Sequence, residues 1–385
     1  MPSARPSPQS KSGRPGSRAA PALASRPGPV SAPAADSEIA AILTRWFGQA
    51  ARDLPWRSTG SGKRDPYRSL VSEFMLQQTQ VSRVLEKFEP FMTRFPTARA
   101  LAEAPEKDVL AAWSGLGYYR RARLLHGAAK AIVADFGGVV PQAVTDLRQL
   151  PGVGRYTAGA ISSIVFGKAE PLVDGNVARV LMRVSAKRGT AAERSDWAWE
   201  RAGELVGVAR RPGVFNEALM ELGATVCTPA LPRCDRCPLR EGCEAFQRGL
   251  QGEIPSPKVA AKRKALYCAS VLVEDGKGRL LVERRPATGM WASMFQAPTL
   301  EHHEPISRDQ VERWLGTSGL RLLEEFDHGT THRDVKFSVW SAGRKRLQRH
   351  LDADARQSRV FITRGEAAGL GLSNPQKRIL LQTRT

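Results

Sequence analysis

Four of the chain's five cysteines fall within seventeen residues, at Cys227, Cys234, Cys237 and Cys243, with the spacing C-x6-C-x2-C-x5-C. Thiolates are soft, charged ligands, and four of them on one short loop can wrap a cubane iron–sulfur cluster or a tetrahedral zinc ion. Zinc sites usually carry two tight C-x2-C knuckles, each turning two sulfurs onto one ion, and only Cys234 and Cys237 form one here. A cubane is wider and suits the longer arms. The spacing therefore favours a [4Fe-4S] cluster, with zinc and a disulfide pair as the alternatives. Cys268 stands outside the pattern and reads as a packed thiol in a strand. A dense thiolate cluster also points to a reducing compartment.

A second chemical signal is LPGVG at Leu150 to Gly154, preceded by a short amphipathic stretch (Val144, Leu147, Leu150) and followed by a helix from Arg155 to Phe166 that stops at Gly167. This is the pattern of a helix-hairpin-helix. Gly152 and Gly154 permit the tight turn and let backbone N–H groups approach a phosphate, while the next helix directs its positive end to the same place. Such a hairpin grips a DNA backbone without reading bases. A net charge of +20 fits the same polyanionic partner, because each neutralised phosphate releases counterions.

These groups need elements to hold them. With 385 residues the chain has the length for two domains, and no apolar run approaches the length of a bilayer span. Residues 1–36 read as a disordered basic tail, since eight prolines and five basic residues fall within residues 1–35 and no acid does. From 37 to 248 apolar residues recur at three and four spacing in stretches starting near Glu38, Leu70, Val109, Arg121, Thr157, Val177 and Phe215, which predicts a helical domain. Residues 249–264 turn polar and Pro-bearing, as a linker would. Beyond them the period changes. Ala265 to Val273 and Arg279 to Arg284 read as a β-hairpin and Val335 to Trp340 as a further strand, so residues 265–385 are expected to form a smaller α+β domain.

The hairpin, the run VDGNV at Val173 to Val177 and the four cysteines together resemble the endonuclease III superfamily of helix-hairpin-helix DNA glycosylases. Within it the chain is most similar to the adenine-removing, MutY-type branch. The runs that carry the resemblance are LPWR (Leu54 to Arg57), SEFMLQQTQV (Ser72 to Val81), GLGYYRRAR (Gly115 to Arg123), LPGVGRYTAGA (Leu150 to Ala160), VDGNVARVLMR (Val173 to Arg183) and FNEALMELGA (Phe215 to Ala224). The resemblance implies a mainly α fold: a helix-hairpin-helix glycosylase domain with a [4Fe-4S] loop over 227–243, then a smaller α+β MutT-like (Nudix-fold) domain. It implies removal of adenine opposite 8-oxoguanine or guanine in double-stranded DNA by a monomer, in the bacterial cytoplasm at the nucleoid rather than in a mitochondrion or nucleus.

A glycosylase must extrude a nucleotide and break a C1′–N bond, which calls for a proton donor to the base and a stabiliser of the sugar cation. Alone, Glu73 reads as a helix-surface charge and Asp174 as an N-cap. The resemblance makes Glu73 the general acid, with Phe74, Met75 and Leu76 supplying the apolar setting that would raise its pKa, and Asp174 the carboxylate beside the sugar. Tyr156 stands where the endonuclease III branch carries a Schiff-base lysine, so base removal without strand cleavage is implied, with Tyr156 and Asn176 hydrogen-bonding around Asp174. Gln78 and Tyr118 resemble residues inserted into the duplex, and Thr79 and Leu116 lie beside them as DNA contacts. Trp56, Arg57 and Glu217 resemble residues lining the adenine pocket.

The C-terminal resemblance is weaker. A working Nudix hydrolase carries REUxEExGU (U aliphatic) on a metal-binding helix, whereas Arg308 to Gly316 reads RDQVERWLG and has Arg313 in place of one glutamate. The implied role is therefore recognition of 8-oxoguanine rather than pyrophosphate hydrolysis. Thr330, Thr331 and His332 occupy the stretch where the family carries a Phe-Ser-His loop, which keeps His332 as a contact and loses the aromatic.

Overall fold

The computed structural model describes residues 35–57, 64–257, 263–286, 288–330, 332–343 and 359–383. Asp36 already opens the first helix, and the expected tail otherwise lies outside the described residues. Among those residues, the chain up to Gln247 forms helices and no strand: α1 (Asp36–Ala50), α2 (Pro66–Leu76), α3 (Val81–Arg94), α4 (Ala98–Glu103), α5 (Glu106–Ala112), α6 (Arg120–Asp135), α7 (Val144–Leu147), α8 (Arg155–Ala160), α9 (Gly175–Val184), α10 (Ser195–Gly207), α11 (Pro212–Thr225) and α12 (Glu244–Gln247). None is long and apolar enough to cross a membrane.

Two separate cores organise these helices. The first gathers Leu70, Phe74, Phe88, Trp113, Leu125 and Ile132 from α2, α3, the end of α5 and α6. The second gathers Leu43, Val177, Leu181, Leu205, Phe215 and Leu222 from α1, α9, α10 and α11. Between them run α7 and α8, the two arms of the hairpin, and α8 widens into one π-helical turn over Ile161–Val165. Local chemistry fixes the key starts. Asp65 accepts a hydrogen bond from Arg68 N (2.9 Å) and Pro66 occupies the first helical position, which sets α2. Asp174 caps α9 in the same way. Gly152 has φ +80°, and a Cβ there would come within 2.8 Å of Leu124 Cβ, so the hairpin turn requires glycine.

The segment after α12 is less free than a linker. Ile254 is buried and its carbonyl accepts from Arg183 Nε at 2.7 Å; residues 258–262 lie outside the described ones.

The second domain is a mixed sheet of β1 (Lys264–Glu274), β2 (Leu280–Arg284), β3 (Phe295–Gln296), β4 (Thr299–His302), β5 (Arg321–Gly329), β6 (Arg333–Gly343) and β7 (Val360–Ile362), in the order β3-β2-β1-β6-β5, with β4 on β1 and β7 on β2. Among the described residues its helices are α13 (Arg308–Leu315), α14 (Arg364–Ala368) and α15 (Asn374–Lys377), the last running into a π-helical turn over Arg378–Gln382. β1 is a near-continuous apolar run because it lies at the centre, paired in parallel with β6 and covered by one apolar cluster on each face. Cys268 is buried in it. The expected hairpin is present, with Glu274 opposite Leu280.

The two domains share side chains. Met294, from the loop after β2, is buried in the first helical core. Around it, Arg123 donates to Ala292 O (2.9 Å), Lys377 Nζ to Ser114 Oγ (2.8 Å), and Glu106 accepts from both Arg123 and Arg284 at 3.2 Å.

Candidate active site

A cleft of about 760 Å³ opens between the two helical cores. Its volume falls within the range of small-molecule and cofactor sites. The first core supplies Glu73 from α2, and the second supplies Asp174 at the head of α9 and Glu217 from α11. Tyr156 projects into it from α8. Trp56, Arg57, Gln78, Thr79, Gly152, Gly154 and Asn176 line it as well.

The carboxylates are held in contrasting surroundings. Glu73 keeps some exposure towards the cleft, but its carboxyl is ringed by protein. Desolvation pushes it up to about 7; the hydrogen bond from the Tyr156 hydroxyl opposes this, and the charges of Asp174 and Glu217 add to it. Burial, with both carboxylates nearby, raises Tyr156 itself well above the usual phenol range. Asp174 instead accepts from Val177 N (2.7 Å) through Oδ1 and from Asn176 Nδ2 (3.1 Å) through Oδ2, at a helix N-terminus. One carboxyl is thus suited to hold a proton near neutral pH, and the other is fixed by two donors at the head of a helix.

Behind Asp174 the bonds continue. Asn176 Oδ1 accepts from Arg179 Nη2 (2.8 Å), which also donates to Gly223 O (2.9 Å), while Arg179 Nε donates to Cys227 O (2.9 Å). A Cβ on Gly223 would fall 2.8 Å from Asn176 Cβ, so only glycine lets α11 come this close. One turn further along α9, Arg183 Nη1 reaches Cys227 Sγ (3.4 Å) and Thr228 O (2.7 Å). α9 therefore carries the carboxylate on its cap and the cysteine loop on its flank. Cys227, Cys234, Cys237 and Cys243 are free thiols that line one small apolar cavity with Val180, Leu222 and Leu239. Among the described residues no three His, Cys, Asp or Glu side chains converge tightly enough to hold a single metal ion.

The far wall of the cleft is a charge lattice that spacing along the chain did not reveal. Glu217 accepts from Arg57 Nε (3.1 Å) and from Arg64 Nη2 (2.6 Å to each oxygen), and Glu221 accepts from Arg52 Nε (2.5 Å) and Arg57 Nη2 (2.9 Å). Desolvation alone would push Glu221 up, but the hydrogen bond from Arg52 and the charge of Arg57 hold it below the ordinary carboxylate value. The signal for Glu221 was available: two glutamates four apart in the otherwise apolar run FNEALMELGA must both face paired cations.

Three expected residues lie off the cleft. Leu116 is buried beside it, Tyr118 is half exposed on the same loop, and His332 is exposed on the turn between β5 and β6; Thr331 lies outside the described residues. Gln78 and Tyr118 both have left-handed backbones, φ +54° and +47°, which is uncommon for residues other than glycine.

Comparison with known proteins agrees with this arrangement. Residues 71–201 match the HhH-GPD superfamily of base excision DNA repair proteins, and residues 269–382 match the NUDIX domain. The adenine DNA glycosylase of Rattus norvegicus is 37% identical over 78% of this chain and 69% of its own, and that of Mycolicibacterium smegmatis is 46% identical over 72% and 90%. The chain belongs to the adenine DNA glycosylase family. Of solved structures, a thermostable thymine-DNA glycosylase superposes with a TM-score of 0.50 and 28% identity, over 55% of this chain and 97% of that one. As a member of the adenine DNA glycosylase family the chain is an enzyme of base excision repair, with a helical glycosylase domain followed by a Nudix-like one.

Proposed function

We propose that this enzyme hydrolyses the N-glycosidic bond of an adenine mispaired with 8-oxoguanine or guanine in duplex DNA and leaves an abasic site without cutting the strand. The observation that carries this reading is the pairing of Glu73, pushed up to about 7, with a hydrogen-bonded Asp174 across one cleft. The protonated Glu73 gives its proton to N7 of an extruded adenine. The C1′–N9 bond then breaks with its electron pair leaving on the base, Asp174 stabilises the cation at C1′, and a water oxygen bonds to C1′ as the water's proton passes to the now ionised Glu73. Glu217, held by Arg57 and Arg64, offers carboxylate lone pairs to the exocyclic amine that distinguishes adenine. Gln78 and Tyr118 fill the space that the base leaves in the stack.

The cysteine loop fits a [4Fe-4S] cluster held by Cys227, Cys234, Cys237 and Cys243. The longer x6 and x5 arms suit a group wider than a single ion, and among the described residues the four thiols line one apolar cavity without converging on a single-ion site. Such a cluster would pin the loop and supply no electron to a hydrolysis. We expect iron and inorganic sulfide in equal amounts in the purified protein; stoichiometric zinc would refute the assignment. In the second domain Glu312 of α13 is spent on Arg308 Nε (2.9 Å) and Leu320 N (3.0 Å), which supports a recognition role for that domain rather than hydrolysis.

The decisive assay incubates the protein with an 8-oxoguanine:adenine duplex and then treats it with alkali. A break at the adenine is expected, and its absence would sink the proposal. Borohydride should trap no covalent adduct, because Tyr156 has no amine with which to form a Schiff base.

A further inference from the structure

One guanidinium outside the catalytic set is used in an unusual way. Arg121, near the start of α6, is buried at 7% exposure. Its Nη1 donates to Phe74 O (2.8 Å), Met75 O (2.9 Å) and Gln77 O, and its Nη2 to Thr79 Oγ1 (2.8 Å), Leu116 O (3.2 Å) and Gly117 O (3.3 Å). Those six partners are five backbone carbonyls and a hydroxyl, with no carboxylate among them. A buried cation without an anion is costly, so what it holds must matter.

It holds three things together. Phe74 and Met75 lie in the last turn of α2, the helix that carries Glu73, and Gln77 follows its end, so a cation at this helix C-terminus meets both their lone pairs and the dipole. Gln77 and Thr79 bracket Gln78, and Leu116 and Gly117 lead directly into Tyr118, so both left-handed residues have their neighbours clamped by the same group. Trp113 Nε1 donates to Gly117 O as well (3.1 Å), and the Arg121 guanidinium lies over the rings of Trp113 and Tyr118, at 5.5 and 5.4 Å. Backbone conformations of this kind persist only where their surroundings over-determine them.

We propose that Arg121 is a positioning residue for base extrusion: it locks the loops bearing Gln78 and Tyr118, and the end of the Glu73 helix, into one rigid wedge that is set before DNA arrives. The inference rests on the reading of Gln78 and Tyr118 as the residues that enter the duplex. Its chemistry requires arginine, since only a planar fork of donors can serve carbonyls on two loops and a helix end, and an ammonium cannot.

The test places 2-aminopurine at the adenine position, where its fluorescence rises on unstacking, and follows single-turnover adenine release in parallel. Arg121→Met should cut the unstacking amplitude and slow release by about 100-fold, as a small misplacement of a positioned group does. Its affinity for undamaged duplex should be unchanged, because phosphate contacts supply that term. Arg121→Lys should not rescue. In a Gln78→Ala/Tyr118→Ala background, Arg121→Met should reduce the unstacking amplitude no further, since the clamp acts through those side chains. A further loss of unstacking amplitude in that background, or a wild-type amplitude in Arg121→Met, would overturn the proposal. Should Arg121→Met fail to fold by thermal melting, Thr79→Val removes one acceptor and should lower the amplitude in part; an unchanged amplitude there overturns the proposal equally. A wild-type protein that neither unstacks nor releases the base would instead remove the functional reading on which the inference stands.

Discussion

On the proposed mechanism Glu73 sets the working range of the enzyme: its proton is required on the base, so release should be flat at acid pH and fall as the pH rises through about 7, an alkaline limb that Glu73→Gln abolishes along with about 10³-fold of rate. The same group affects stability. Its folded value lies above the ordinary 4.5, so its contribution is full below about 4.5 and is lost as the pH rises through about 7. Glu73→Gln carries no charge to desolvate, and thermal melting above pH 7 should show the variant more stable than the wild type by on the order of 1 kcal/mol. The gap should close below pH 5. A melting difference that is independent of pH would refute the assignment of the shift to desolvation. Loss of activity together with a gain in stability is what a strained functional carboxyl gives, and a merely structural glutamate would lose both.

At the scale of elements, the hairpin and α9 bring the groups together. Gly152→Ala must accommodate both φ +80° and a contact at 2.8 Å, so urea unfolding should show a loss of ~2 kcal/mol or more; Gly154, where a Cβ would meet nothing within 4 Å, should tolerate alanine for stability. If Gly154→Ala nevertheless weakens DNA affinity, the open space above it is where a phosphate comes. The helices legible in the sequence were those with unbroken three and four spacing and a clear start, among them α1, α2, α6, α9 and α11. α3 was not, although its residues are strongly amphipathic, because Pro90 sits inside it and reads as a breaker. Of the site, Glu73, Tyr156, Asp174, Asn176 and Glu217 were legible because each sits in a long family run. Arg52, Arg64, Arg121 and Arg179 were not, since a guanidinium's partners are set by tertiary approach: Arg52 meets Glu221 across 169 positions of chain, and Arg121 meets backbone oxygens that any residue could supply.

At the scale of the whole molecule the charge balance is locally redistributed. The cleft wall sets Arg52, Arg57 and Arg64 against Glu217 and Glu221, a balance of +1 out of the chain's +20, so most of the excess that draws in a polyanion resides elsewhere, and salt should weaken binding much more than it slows the bond-breaking step. Met294 belongs to the second domain in sequence and to the first helical core in space. Met294→Ala should therefore lower the stability of the glycosylase domain by about 2–5 kcal/mol, read as a shift of the helical signal in urea unfolding. A helical transition that stays where it was would show that the core closes without it.

That one buried thioether bears on how mutational damage in this enzyme should be interpreted. A chain cut after the helices leaves a hole in the core that backs α2, so activity lost on truncation reports a softened catalytic scaffold as well as a missing second domain. Conversely, a change confined to the loop after β2, far along the chain from either carboxylate, can mimic an active-site lesion while leaving Glu73 and Asp174 in place.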